Sequence, residues 1–175
     1  MSLFSVDIPL IETERLILRA PREDDFAALA AFLASDRSRF VGGPMDAPQA
    51  FRSLLASLGH WLLRGYGMWT IALRQDDAPV GRVGFLYGEG WDEPELGWHV
   101  FSGYEGQGLA FEAALAARAH GAAQFGLTGV ISYIDPANSR SLALARRLGA
   151  QFERDGAVIG KPAQVWRHPK LEALA

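Results

Sequence analysis

Residues 103–110 (GYEGQGLA) are the stretch whose residue types and spacing most clearly allow chemistry. A predicted strand ends there, glycines permit a tight turn, and a predicted helix begins at once. Unpaired N–H groups at a helix start, at the positive end of the helix dipole, attract anions such as a pyrophosphate. The glycines could equally serve only the backbone conformation of a strand–helix turn, so both interpretations stay open.

Neither common nucleotide-binding motif fits this turn. A Walker A loop ends in Gly-Lys-Ser/Thr, and the sequence contains no such tripeptide. The dinucleotide motif needs a further Gly or Ala after Gly106 and Gly108, where Phe111 stands. Both nucleotide interpretations are therefore weakened, although a small nucleotide-binding α/β protein remains one alternative.

Three polar residues outside the turn are candidates for chemistry. Glu95 opens a predicted strand, where its carboxylate could act as a general base or serve as an ordinary structural acid. Asn138 and Ser141 share one face at the start of a predicted helix. Asn138 could simply be an N-cap, and Ser141 could be an exposed or back-bonded helix hydroxyl.

Composition excludes several classes of site. The 175 residues contain no cysteine, which rules out disulfides, thiolate zinc sites, Fe–S clusters and cysteine nucleophiles. His60, His120 and His168 show no metal-binding spacing, and there is no Gly-x-Ser-x-Gly motif of a serine hydrolase. No metal site is expected.

Charge and hydropathy set expectations about partners and location. The net charge of −3 argues against a broad nucleic-acid surface, and no apolar run reaches the length of a membrane span. We therefore expect a cytoplasmic protein that binds neither nucleic acid nor membrane. The length predicts a single domain over residues 1–175.

Hydrophobic periodicity predicts a mixed-sheet α/β fold. A helix capped by Asp46 should carry one apolar stripe, and Gly97 suggests a bulge or a close backbone approach in its strand. The strand–helix–strand order over residues 95–134 implies a parallel pair with a right-handed crossover. The predicted strands are 14–20, 68–74, 80–87, 95–101, 129–134, 151–154 and 163–168, the predicted helices begin at about 22, 46, 109 and 139, and the stripe consists of Phe51, Leu54, Leu55, Leu58 and Leu62.

Five segments in this order resemble the GNAT superfamily of N-acetyltransferases, most closely the branch that acetylates ribosomal-protein amino termini. In the family pattern Gln/Arg-x-x-Gly-x-Gly/Ala, Gly108 and Ala110 match, and Glu105 stands where Gln or Arg is usual. The segments are 12–19 (ETERLILR), 95–100 (ELGWHV), 105–110 (EGQGLA), 138–141 (NSRS) and 148–150 (LGA).

This resemblance covers about residues 12–168, which it marks as the core of the domain. It implies the acyl-CoA N-acyltransferase fold, a mostly antiparallel central sheet with helices on both faces, and acetyl-CoA as the cofactor. It further implies a proton donor to the thiolate at Ser141 and a contact of Asn138 with the pantetheine. Because acyl transfer to an amine requires a neutral nucleophile, Glu95 is then the candidate general base. The remaining implied cofactor contacts are the strand backbone of His99, Val100 and Phe101 and the pyrophosphate turn of Glu105, Gly106, Gln107, Gly108, Leu109 and Ala110.

The implied reaction is direct attack of a primary amine on acetyl-CoA in a ternary complex. The acceptor would be a protein N-terminus or a small-molecule amine, with Trp91 as a candidate for lining its pocket. A non-catalytic acyl-CoA sensor on the same fold is the alternative, and a homodimer is the implied assembly.

Overall fold

The computed structural model describes residues 6–172, which form one eight-stranded sheet with helices on both faces. The strand order is β1-β2-β3-β4-β5-β6-β8-β7, and every pair is antiparallel except β5–β6. This confirms the predicted mixed, mostly antiparallel sheet. The strands are β1 Ile11–Glu12, β2 Leu16–Arg19, β3 Met68–Leu73, β4 Pro79–Leu86, β5 Glu95–Val100, β6 Ile131–Ile134, β7 Gln151–Val158 and β8 Lys161–Arg167.

Four α-helices and two 3-10 helices connect the strands. Asp46 caps the second α-helix by accepting the Gln49 N–H, and Gly65 ends it in the left-handed conformation. Both ends follow the sequence prediction. The helices are α1 Phe26–Leu33, α2 Ala47–Arg64, α3 Leu109–Phe125 and α4 Ser139–Arg147, and the 3-10 helices are Glu23–Asp25 and Asp36–Val41.

Small residues on α3 let it pack closely on one face of the sheet. Ala113, Ala114 and Ala117 are buried against Phe85 and Leu96 in the main core. Helix α1 covers the opposite face, where Phe32 packs on the side chain of His99. The face under α1 thus carries every second residue of β5, beginning with Glu95.

The sheet opens between β5 and β6. Their parallel pairing registers at a single pair, Glu95 with Ile131, and is not continued beyond it. On the other side of β5, the β4–β5 register runs without a shift from Glu95–Leu86 to Val100–Gly81. The bulge expected at Gly97 is therefore absent, and the unpaired backbone arises because two parallel strands diverge.

No helix within residues 6–172 combines the length and apolar character that a membrane span requires.

Candidate functional site

Glu95 lies where β5 and β6 part. Its Oε2 accepts the Tyr133 backbone N–H at 3.2 Å, in place of a continued ladder bond. Glu95 keeps some exposed surface, but the protein packed around its carboxyl group makes a negative charge costly. This burial raises the pKa of Glu95 to about 7, against the opposing effects of the Tyr133 N–H and the Trp91 indole. A carboxyl with such a pKa can accept a proton near neutral pH.

The Trp91 loop is held beside Glu95 by ion pairs. Arg167 binds Glu93 through both terminal nitrogens, at 2.6 and 2.7 Å, and Arg154 binds Asp92 at 2.9 Å. The Trp91 indole N–H is buried and close enough to affect the Glu95 carboxyl, yet it does not reach hydrogen-bond geometry with any described residue. The sequence nominated Trp91, but nothing in it indicated these two arginines, which come from the β7–β8 hairpin.

His99 points its ring under α1 rather than towards the opening. The ring stacks on Phe32 with centroids 4.8 Å apart and planes 2° from parallel. Burial, aided by the charges of Arg82 and Arg37, lowers the pKa of His99 to about 3, so the imidazole is neutral at physiological pH.

The main chain of β5 alternates between β4 and the opening. The Phe101 N–H donates to the Val80 carbonyl at 2.8 Å, so the amides of Phe101 and His99 belong to the β4 ladder. The opposite set faces β6, because the Leu96 carbonyl accepts from Ser132 and the Val100 carbonyl accepts from Arg37. Of the three residues predicted to offer their backbone to the cofactor, Val100 turns its amide to the opening, whereas His99 and Phe101 turn theirs to β4. Trp98 also turns its amide to the opening.

The turn after β5 provides an uninterrupted row of free donors. Gly106 and Gly108 have φ of +73° and +79°, which a glycine adopts without a steric penalty. The first bonded amide of α3 is Glu112, which donates to the Gly108 carbonyl at 3.1 Å. Among residues 6–172, no acceptor is found for the N–H groups of residues 106–111. These donors, at the positive end of a long helix, fit an anion such as a pyrophosphate.

Glu105 folds back onto its own turn. Its Oε2 accepts the Gly103 N–H at 2.7 Å, and Oε1 pairs with Arg37 at 2.8 Å. Hydrogen bonds from its own N–H and that of Gly103, with the charges of Arg37 and Arg140, hold the pKa of Glu105 below its usual range. The carboxylate is thus fixed before the free donors begin.

Thr13 and Arg15, just before β2, bind Glu112 at the start of α3; we call these contacts the brace. Glu112, in the first turn of α3, accepts from the Thr13 hydroxyl at 2.6 Å and from the Arg15 guanidinium at 2.7 Å. Arg15 also donates to the Gln107 carbonyl at 2.9 Å. Sequence reasoning missed this brace, although Thr13 and Arg15 lie within the segment 12–19 that carries the family resemblance.

Asn138 and Ser141 meet at the start of α4. The Asn138 side chain accepts the Ser141 N–H at 3.2 Å, so Asn138 is an N-cap. This arrangement leaves the Asn138 amide nitrogen free to donate elsewhere. At the other end of α4, the Arg147 guanidinium lies over the Phe111 ring in the first turn of α3, 4.0 Å from the ring centroid.

His60 and His168 make hydrogen bonds within the fold. His60 bonds the backbone of Tyr66 and Tyr87 at 2.7 and 3.0 Å, and His168 bonds the Ser132 hydroxyl at 2.9 Å. Within the described part of the chain, no three His, Asp or Glu residues are grouped to hold a metal ion.

Comparison with known proteins shows the family and the fold of this chain. The family model of the acetyltransferase (GNAT) domain matches residues 15–151. An acetyltransferase from Agrobacterium tumefaciens is 34% identical, with 97% of this chain and 99% of that chain covered and a TM-score of 0.87. A protein from Bordetella pertussis assigned to the GNAT-family acetyltransferases is 29% identical, with 92% and 99% covered and a TM-score of 0.77.

A third solved structure shares the fold. It is RimL, a ribosomal L7/L12 alpha-N-protein acetyltransferase in complex with coenzyme A, 19% identical, with 91% and 96% covered and a TM-score of 0.73. The domain match spans most of the chain and includes the opening at Glu95, the free donors of the turn and the start of α4. The chain therefore belongs to the GNAT acetyltransferase family.

Proposed function

We propose that this protein is an acetyl-CoA-dependent N-acetyltransferase that acetylates a primary amine, either a protein N-terminus or a small molecule. The observation that carries the proposal is the position of Glu95. A carboxyl group with a pKa of about 7 lies where β5 and β6 part, on the strand that leads into the row of free N–H groups. The RimL neighbour, named for acting on a protein N-terminus, makes such a peptide one reasonable acceptor.

The described residues fit coenzyme A. The N–H groups of residues 106–111 would hold its pyrophosphate, and the main chain of Trp98 and Val100 would pair with the amides of its arm. The free amide nitrogen of Asn138 would donate to the same arm. When bound, acetyl-CoA supplies the acetyl group as a thioester.

Glu95 would remove a proton from the acceptor's ammonium group. An amine attacks only as the neutral base, so its ammonium form must first lose a proton. The Glu95 carboxylate would take that proton, directly or through one water. Oε2 is engaged with Tyr133, which leaves Oε1 to face the substrate.

Ser141 would complete the proton balance by donating its hydroxyl proton to the departing thiolate and regaining a proton, directly or through water, from the nitrogen that has attacked the acetyl group. It lies half-buried at the start of α4, where Asn138 fixes its backbone. Because the sequence has no cysteine, no cysteine-bound acetyl intermediate can form, and transfer runs directly between the two bound substrates.

A thiol-release assay tests the proposal. Acetyl-CoA is incubated with the protein and a panel of amines and amino-terminal peptides, and product acetylation is checked by mass. The best acceptor is then measured with Glu95→Gln and Ser141→Ala, which should each reduce kcat. Coenzyme A binding without release on the whole panel would instead favour the non-catalytic acyl-CoA module.

A further inference from the structure

Arg82, in the middle of β4, has a buried guanidinium group without a matching partner. The residue is 6% exposed, and its Nε is fully buried with no hydrogen-bond acceptor among the described residues. Burial lowers the pKa of Arg82 to about 10, so the group still carries its charge at neutral pH. Buried arginines are ordinarily paired, because an unpaired buried charge is costly.

The nearest acid is already committed to another arginine. Asp25 accepts from both terminal nitrogens of Arg19, at 2.9 and 2.8 Å. It also accepts the Thr70 hydroxyl at 2.8 Å and the Arg22 N–H at 2.9 Å. Asp25 therefore offers Arg82 only a distant attraction, and the positive charge of Arg82 is left without a direct counter-charge.

His99 lies beside Arg82 with a second unsatisfied group. The two residues are register partners across β4 and β5, so their side chains share a face. The His99 Nε2 is buried without a hydrogen-bond partner, while stacking on Phe32 fixes the ring. Two adjacent polar groups thus lack partners at one place under α1.

Arg82 and His99 lie on the same face of the sheet as Glu95. Glu95, Gly97 and His99 alternate along β5, and Glu95 and His99 are about 13 Å apart at a rise of about 3.3 Å per residue. Gly97, between them, has no side chain and is partly exposed although its strand is central. A Cβ on Gly97 would lie 3.8 Å from the Glu95 Oε1 and 3.9 Å from the side chains of Leu86 and Met68, so an added carbon fits there at ordinary contact distances.

We propose that Arg82 and His99 bind a carboxylate of the acceptor, so that the preferred substrate carries an acidic group some distance from its reacting amine. This inference rests on the proposed function, which places the amine at Glu95. Arg82 supplies charge and a planar pair of donors, and the neutral imidazole adds one N–H. Gly97 leaves room for the part of the acceptor that joins the two groups.

Matched pairs of acceptors test the carboxylate site. One set pairs ω-amino acids of four to eight carbons with their terminal amides, and the other pairs amidated tripeptides carrying Glu or Gln at the second or third position. Binding is measured by calorimetry with coenzyme A present, and turnover is measured by thiol release. The proteins are the wild type, Arg82→Met and Arg52→Met, a matched control that removes an exposed charge from α2.

We expect at least one acid to bind about 10- to 100-fold more tightly than its amide partner to the wild type and to Arg52→Met. The ratio should fall close to one in Arg82→Met. Should that variant fail to fold by circular dichroism, Arg82→Lys, which keeps charge but loses the planar fork, should reduce the ratio at least several-fold. The tripeptide and amino-acid sets show whether the carboxylate belongs to a peptide or to a small molecule.

Equal binding of every acid and amide pair to the wild type would overturn the inference, as would a ratio that persists in Arg82→Met. Efficient acetylation of acids and amides alike would retain the proposed function and reject the carboxylate site. Acid-selective binding that depends on Arg82, without acetyl transfer to any amine, would retain the carboxylate site and reject the transferase.

Discussion

The Tyr133 backbone N–H donates to the Glu95 carboxylate at 3.2 Å, so a side chain of β5 takes the place of a ladder bond to β6. This contact fixes the acid at the point where the strands diverge. The contact also favours the ionised carboxylate, so it opposes the increase in pKa that burial causes. The pKa of Glu95 is therefore about 7. The same contact thus positions the proposed base and adjusts its proton affinity.

The rate should rise with pH through the titration of Glu95. If Glu95 is the base, kcat/KM should increase up to an apparent pKa near 7, where the carboxylate forms. Glu95→Gln should lower kcat/KM by about 100-fold or more and remove this limb of the profile. Initial rates of thiol release between pH 5.5 and 9 provide the measurement.

A nearby exposed acid controls for general charge effects on that profile. Glu89→Gln removes a charge from the same loop region without touching the opening, and it should leave the profile unchanged. A rising limb that survives in Glu95→Gln would assign the titration to the acceptor amine instead.

Glu95 should also make the free energy of unfolding depend on pH. Its folded-state pKa of about 7 exceeds the ordinary value of 4.5, so the folded protein binds more protons than the unfolded chain between these pH values. The free energy of unfolding of the wild type should therefore fall as pH rises, by up to about 1.4 kcal/mol per pH unit relative to Glu95→Gln. Urea unfolding of both proteins from pH 4.5 to 8 tests this, and parallel curves would contradict it.

Glu105 should weaken coenzyme A binding through its charge. The carboxylate lies next to the free donors of the turn, and Glu105→Gln keeps an oxygen acceptor for the Gly103 N–H. We expect the variant to bind coenzyme A about 3- to 10-fold more tightly, with a smaller gain in ~1 M salt. Calorimetry measures the affinity, and Asp24→Asn, at an exposed acid before α1, is the matched control. Unchanged or weaker binding would show that the Arg37 pair matters more than the repulsion.

The brace at Glu112 should link stability to cofactor affinity. Glu112→Gln weakens the pair with Arg15, and we expect a loss of about 1–2 kcal/mol in the free energy of unfolding. Because Arg15 also holds the Gln107 carbonyl, coenzyme A should bind more weakly. Urea unfolding and calorimetry measure the two effects, with Glu14→Gln as an exposed control. Reduced stability with unchanged affinity would show that the brace does not shape the turn.

The ends of the helices could be predicted from the sequence, because particular residue types favour them. Asp46 and Gly65 bound α2, and glycines bound the turn before α3, because these residue types satisfy helix ends. The short strand β1 was missed, since two residues give no periodicity.

The buried face of α2 was predicted only in part. Of the expected stripe, Leu54 is buried, whereas Phe51, Leu55, Leu58 and Leu62 are exposed. Besides Leu54, the buried residues of α2 are Ala50, Ser57 and Trp61, whose indole N–H donates to the Met68 carbonyl at 3.0 Å. Which side of an apolar helix faces inward depends on its neighbours, and periodicity does not contain that information.

The details of the site depended on contacts between distant segments. The stack of His99 on Phe32 and the pairing of Glu105 with Arg37 join residues far apart in sequence. Sequence reasoning proposed His99 for its backbone, but strand alternation turns that backbone to β4. The register of a strand decides such assignments, and it becomes visible only once the partner strand is in place.

Arg37 touches both the Val100 carbonyl, at 3.1 Å, and Glu105, at 2.8 Å, although it belongs to the segment that follows α1. The face under α1 is where we place the acceptor, while Val100 and the turn would receive the cofactor. We therefore expect the two substrates to be thermodynamically coupled through this one side chain. By reciprocity, acceptor binding would change the affinity for coenzyme A by the same factor as the reverse, and replacing Arg37 would bring that factor towards one.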